Sequence, residues 1–244
     1  MKCSLIGLMV VDFKSFEVIF VMKDVSTSTQ KQHRLSLLVV FFGLLIAHLP
    51  KYINKILNLL GLQFGPKGPP SVILWNWLAV VVLTVFIIAI ERRNLTTIML
   101  VRPQKKDLEW ACIFWGIGMS WNWIMNIVVP PPQTEGLDTL INLPIPVIIA
   151  LILTTSITEE ILYRGYPIER INELTGRTWI AVSFSFILFL LPHIQFFGIH
   201  WLLYHGFGTI LLYILYVWRR NLWACILMHF LSNAPLLIPA IGQG

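Results

Sequence analysis

Three short polar clusters interrupt an otherwise apolar chain, and each holds side chains that can move protons. The first is Thr158-Glu159-Glu160-Ile161-Leu162-Tyr163-Arg164, the second Phe189-Leu190-Leu191-Pro192-His193, and the third His229-Phe230-Leu231-Ser232-Asn233. On a helix, residues four apart share a face, whereas neighbours diverge by about 100°. Glu160 and Arg164 can therefore meet and cancel charge in a low-dielectric interior. Glu159 turns away from that pair and has only Tyr163 one turn along, so its carboxylate is the one placed to take a proton from water. His229 and Asn233 share a face and offer an imidazole beside a carboxamide, a donor pair suited to a developing oxyanion. His193, on another element, is placed to orient the attacking water or to share it with Glu159. A second chemistry uses Glu159, His193 and His229 as ligands of a divalent metal such as zinc, since one carboxylate and two imidazoles leave a position open for water. Residue types and spacing leave both chemistries open.

The elements that must position these groups are membrane helices. The 244 residues are 57% hydrophobic and 12% charged, with mean hydropathy +0.75, against about 25% charged in an ordinary soluble domain. Runs long enough to approach the roughly 20 residues of a bilayer span fall at about 35–50, 72–90, 108–129, 145–166, 179–197, 198–217 and 222–241. They predict an all-α, polytopic transmembrane helical bundle of about seven spans. An ionisable residue inside a span costs roughly 2.5–3.5 kcal/mol on insertion scales and marks a functional site by default. One glutamate in a span is ordinarily a helix-to-helix hydrogen bond; three polar clusters on three spans have no such plain explanation.

Several features outside the clusters carry their own expectations. Behind Pro50, Ile53, Ile56, Leu57 and Leu60 share a face opposite Lys51, Asn54, Lys55 and Asn58, which predicts a helix lying on the membrane surface. Pro167 is expected to end the fourth span. If the fifth span begins at Trp179, His193 falls nearer the outer side than Glu159 and His229. His193 then joins the site only if that helix enters the membrane later or Pro192 bends it. Trp75, Trp77, Trp110, Trp121, Trp123 and Trp179 read as an interfacial belt, and His48, His200 and His205 as packing, lumen or interface residues.

Charge sets the expected topology. Net charge is +6, but the basic residues lie between apolar runs and form no stripe alternating with exposed aromatics, so no nucleic-acid surface is expected. The tail holds 5 Lys and Arg and the successive connections 3, 5, 0, 3, 0 and 2. An N-terminus in the cytoplasm puts 15 of them inside and 3 outside, as short cytoplasmic loops require. Cys3, Cys112 and Cys225 are far apart, without a CxxC, and say nothing about redox compartment. The stretch from Leu5 to Met22 is interrupted by Asp12, Lys14 and Glu17 and does not read as a cleavable signal; Met22 is an alternative start to Met1. The expected organisation is a cytoplasmic tail over 1–34, two spans with the surface segment over 35–90, and a membrane-embedded core over 91–244. The expected location is the cell membrane, as a multi-pass protein with the lipid bilayer as its solvent.

Glu-Glu-x-x-Tyr-Arg-Gly at 159–165, Phe-x-x-x-His at 189–193 and His-x-x-x-Asn at 229–233, in that order on successive apolar helices, resemble the three motifs of the CPBP family. These are the CAAX-protease and bacteriocin-processing intramembrane endopeptidases, also called Abi, related to the type II CAAX prenyl endopeptidase. Arg219-Arg220-Asn221-Leu222-Trp223 is similar to that family's approach to its last motif. The resemblance covers roughly 91–235 and is sharpest from 159 onward. It implies hydrolysis of a peptide bond in a membrane-associated protein or peptide, of the CAAX-processing or bacteriocin-maturation and self-immunity type. Glu159 and His193 would activate water, and His229 and Asn233 would stabilise the oxyanion. The metalloprotease view and the metal-free glutamate view use the same residues. A proton-coupled transporter or a non-catalytic immunity or scaffold protein are the other classes that fit. A proton relay, however, has no need of a separate His-x-x-x-Asn donor pair, and the paired broken helices of many carriers are missing.

Overall fold

The computed structural model describes residues 37–62 and 65–238; the expected tail over 1–34 and the choice between Met1 and Met22 lie outside them. Every element among the described residues is helical. Helix α1 (Leu37–His48) runs into a 3-10 turn at Pro50–Tyr52 and then α2 (Ile53–Leu59), with an 82° bend between the two helices. Pro50 supplies no N–H to the preceding turn and so breaks the helix there. Helix α3 (Pro70–Val85) continues through a π-helical turn at Phe86–Ile90. Next come α4 (Lys105–Val128) and the short α5 (Glu135–Ile141). Helix α6 (Ile145–Glu159) leads through a π-helical turn at Glu160–Gly165 into α7 (Tyr166–Thr175), followed by α8 (Thr178–Phe197). A π-helical turn at Leu202–Gly206 then leads into α9 (Phe207–Arg219), and α10 (Leu222–Asn233) closes the bundle.

Among the described residues four helical stretches are long and apolar enough to cross a membrane: Pro70–Ile90, Lys105–Val128, Ile145–Thr175 and Thr178–Phe197, with a fifth if the bent pair α1 and α2 counts as one span. The expected seventh stretch is present as the shorter apolar helix Leu222–Leu236. The expected sixth starts late, because Gly198 sits at φ 83° and stops α8. Helix α6 packs between α3 and α10, α4 lies against α9 and α10, α7 against α8, and α1 against α3 and α7. Outward from this core α3 presents Val81, Val85 and Ile88, each more than half exposed, as a surface bathed in lipid allows.

Pro167 does not end the fourth span, contrary to expectation: the helix runs from Ile145 to Thr175. The proline occupies the first turn of α7, where a missing N–H is tolerated. The carbonyl it fails to serve, four residues back at Tyr163, accepts a hydrogen bond from the Ser185 hydroxyl on α8. This longer helix also resolves the placement of His193. Helix α8 begins at Thr178, right after the Thr175 end of α7, and packs back along it. Glu159 lies 16 residues before that hairpin and His193 15 residues after Thr178. At about 1.5 Å per residue both sit roughly 22–24 Å from the turn, at one level.

The polar end of the bundle is tied by ion pairs, several of them made by α7. Arg170 meets Glu91 at 2.7 Å with both side chains fully buried, and Tyr166 donates to the same carboxylate at 2.8 Å. Arg220 meets Glu169 at 2.6 Å, and Arg219 meets Asp107 of α4 at 2.7 Å. Burial alone would lower the Arg220 guanidinium, but Glu169 more than offsets this and raises it above its ordinary value. Arg220 itself takes the left-handed conformation (φ 51°) that turns the chain between α9 and α10. Asn221 then caps α10, its side-chain oxygen accepting from the backbone of Trp223 and Ala224 while its amide donates to Val101. The Arg-Arg-Asn-Leu-Trp sequence is thus a turn and a helix cap that aim α10 into the bundle.

Candidate active site

Helix α6 can carry Thr154-Thr155-Ser156-Ile157-Thr158 through an apolar interior because three of the four hydroxyls close on their own helix and that of Thr154 accepts from Trp77. Thr155 donates to Leu151, Ser156 to Ile152 and Thr158 to Thr154, at 2.6–2.9 Å. The two glutamates follow immediately. The turn from Glu160 to Gly165 is π-helical, and a wider turn brings residues four apart closer to one line than 3.6 residues per turn does. Arg164 Nη1 reaches Glu160 Oε1 at 2.5 Å, with both side chains fully buried. The guanidinium lies between two rings, 4.4 Å from the centroids of Phe189 and of Tyr213, a cation–π sandwich that replaces part of its lost hydration. Gly165 ends the turn where a Cβ would stand 3.0 Å from the Ile98 carbonyl oxygen and 3.2 Å from Leu222 Cδ2. A side chain there would push α7 off the start of α10.

Helix α10 supplies the opposite wall. His229 Nδ1 lies 2.7 Å from the same Glu160 oxygen that Arg164 holds. A carboxylate only accepts, so Nδ1 carries the proton in this bond, and Nε2 is left for the other side of the ring. That nitrogen stands 4.0 Å from Glu159 Oε2. One turn along both helices, Asn233 Nδ2 donates to Thr155 Oγ1 at 3.2 Å. Thr155 and Glu159 are one turn apart on α6, as are His229 and Asn233 on α10. Two antiparallel helices therefore meet in two polar rungs, 155 with 233 and 159 with 229.

His193 reaches this level by a different route. Its Nδ1 hydrogen-bonds the Phe189 carbonyl of its own helix at 2.8 Å, so this nitrogen too carries a proton. The Phe189 ring lies 4.4 Å from His193 and 6.3 Å from His229, centroid to centroid. Trp201 stacks on the far side of His193 at 4.7 Å and in turn on His205 at 5.4 Å. Among the described residues no three or more His, Cys, Asp and Glu side chains come together in an arrangement that could hold a metal ion. His229 Nδ1 serves Glu160 and His193 Nδ1 serves a backbone carbonyl, which leaves Nε2 as the remaining nitrogen of each ring.

Of the residues singled out from sequence, Glu159, Glu160, Arg164, His229 and Asn233 lie at the α6–α10 contact, and His193 stands beside it behind Phe189. Reading by sequence overlooked Thr155, Ser185, Tyr213 and Asn76. Asn76 of α3 donates to Thr158 Oγ1 at 3.2 Å in a buried bond, and Trp77 Nε1 donates to Thr154 Oγ1 at 3.1 Å. Each could have been found as a hydroxyl or amide inside an apolar run, the same signal that exposed the glutamates. Trp75 departs from the belt reading, since it is buried and donates to Asn54 of α2, whereas Trp77 is 40% exposed and donates to α6. His48 packs against Tyr163, their rings 5.1 Å apart.

Residues 141–235 match the family model described as type II CAAX prenyl endopeptidase, Rce1-like, consistent with the CPBP family. The matched segment runs from just before α6 to the end of α10 and contains all six site residues named from the sequence. Neither the curated proteins nor the solved structures contain a match.

Proposed function

We propose that the protein is an intramembrane endopeptidase in which Glu159 activates a water that attacks a peptide bond of a membrane-associated protein or peptide. The observation that carries this reading is the 4.0 Å separation of Glu159 Oε2 and His229 Nε2. A water making hydrogen bonds of about 2.8 Å to both atoms at roughly a right angle spans that gap. Glu159 takes one proton as the water oxygen adds to the substrate carbonyl carbon, and His229, held by Glu160, fixes the other hydrogen. The oxyanion that forms is met by the Asn233 carboxamide. The proton on Glu159 then passes to the leaving nitrogen as the C–N bond breaks, giving a carboxylic acid, which keeps the second hydrogen of the water, and an amine.

On this reading Glu160 and Arg164 hold His229 rather than touch substrate. His193, whose Nδ1 is occupied, offers Nε2 as a further hydrogen-bonding group at the edge of the site. The family resemblance shares water activation between Glu159 and His193; the distances here favour His229 as the partner of Glu159. No step is routed through a metal: among the described residues no group of three or more His, Cys, Asp and Glu side chains could hold one. The matched family acts on CAAX proteins, which makes a C-terminal peptide near the membrane surface the first substrate to try.

The test is cleavage of a membrane-peptide library by the protein purified in detergent. Wild type is expected to cleave, Glu159→Gln and His229→Ala to fall by at least about a hundredfold, and chelator to leave the rate unchanged. Full activity in Glu159→Gln would remove the carboxylate from the mechanism. Loss with chelator and rescue by zinc would replace the glutamate chemistry with a metal.

A further inference from the structure

Asn233 is the last residue of α10, followed at once by the tight turn Ala234–Leu236. A helix end is where backbone restraint is weakest, because the last four carbonyls have no helical partner. A carboxamide is moreover nearly symmetric in shape, so packing alone distinguishes poorly between its oxygen and its nitrogen. A donor at this position therefore needs something that selects the NH2 end, and α6 provides it. Thr155 Oγ1 lies 2.9 Å from the Leu151 carbonyl and 3.3 Å from that of Ile152. Both are acceptors, so the single hydroxyl proton is committed to the helix backbone. What Thr155 presents to α10 is a lone pair, and Asn233 Nδ2 fills it at 3.2 Å. The reversed carboxamide would set two oxygens against each other.

We propose that Thr155 is a positioning residue that fixes the orientation of the Asn233 carboxamide, so that its second N–H is presented to the substrate carbonyl. The inference rests on the peptidase reading for its effect on rate, but the orientation itself does not. Thr155 stands one turn before Glu159 on the same face. One helix thereby carries the group that activates water and the group that orients the oxyanion donor, and a shift of α6 along its axis would disturb both together.

Thr155→Val keeps the shape and removes the acceptor, whereas Thr155→Ser keeps the acceptor. Two measurements on the purified full chain decide the matter. In cleavage assays Thr155→Val is expected to lower kcat about tenfold with KM unchanged, roughly the worth of one hydrogen bond, and Thr155→Ser to restore it. In an Asn233→Ala background, Thr155→Val is expected to cost nothing further. Independently of activity, the side-chain NH2 resonances of Asn233, assigned through Asn233→Asp, are expected to shift in Thr155→Val and stay in place in Thr155→Ser. Unchanged resonances in Thr155→Val, or an additive loss in the double variant, would overturn the inference. Full activity in Asn233→Ala with shifted resonances in Thr155→Val would instead leave the orientation standing and remove Asn233 from the chemistry.

Discussion

Glu159 and Glu160 are adjacent in sequence and chemically unlike in place. Glu160 is fully buried, and one of its oxygens serves both Arg164 and His229. Glu159 is 12% exposed in its side chain and faces the other nitrogen of the same imidazole. The i, i+4 spacing made the pairing of Glu160 with Arg164 legible from sequence. It gave no sign of His229, 69 residues away, because a contact between helices has no local signature. The two glutamates should fail differently when replaced. Glu159→Gln is expected to abolish cleavage while leaving thermal unfolding in detergent nearly unchanged. Glu160→Ala is expected to abolish cleavage and also to destabilise by about 3–5 kcal/mol, since it strands the buried guanidinium of Arg164. An equal loss of stability in both variants would show that the division of roles is wrong.

At the scale of elements, α6 is fixed on two sides. Asn76 and Trp77 of α3 bond Thr158 and Thr154, while His229 and Asn233 of α10 face Glu159 and Thr155. The residues 154, 155, 158 and 159 alternate between these two contacts, as a helical period places them. The α3 bonds set the rotation of α6 about its axis, and with it the direction of Glu159. Asn76→Leu is expected to lower stability in detergent by about 0.6 kcal/mol and no more than about 1.7, because Thr158 keeps its bond to the Thr154 carbonyl. Its effect on cleavage should be a loss of a few fold; a loss as large as that of Glu159→Gln would mean that Asn76 touches the reaction. Pro167 was the feature most misleading at this scale. A proline commonly ends a helix, and nothing local announces that Ser185, on the following helix, will satisfy the carbonyl it leaves behind.

At the scale of the molecule, the charges gathered at one end of the described bundle are tied into ion pairs. Glu91 and Arg170 are both fully buried, whereas the Arg93–Glu173 pair nearby is 21% and 38% exposed. Glu91 also receives the Tyr166 hydroxyl, so it joins the connection after α3 to the start of α7. Glu91→Ala is expected to cost about 3–5 kcal/mol by leaving Arg170 uncompensated, and Arg93→Ala at most about 1 kcal/mol. Thermal unfolding of the two variants side by side checks this, and similar losses would mean that water reaches Arg170.

What the sequence determined by itself was whatever depends on composition and short-range period. Low charge and long apolar runs dictated a helical membrane bundle, and residues four apart named Glu160 with Arg164 and His229 with Asn233. The break at Pro50 was likewise written in local chemistry. Only the tertiary structure decided that Glu160 serves His229, that Thr155 meets Asn233 and that His193 comes to the level of Glu159. These follow from the antiparallel register of α6 with α10 and of α7 with α8. Such a register is set by where whole helices begin, bend and pack, and no window of adjacent residues contains it.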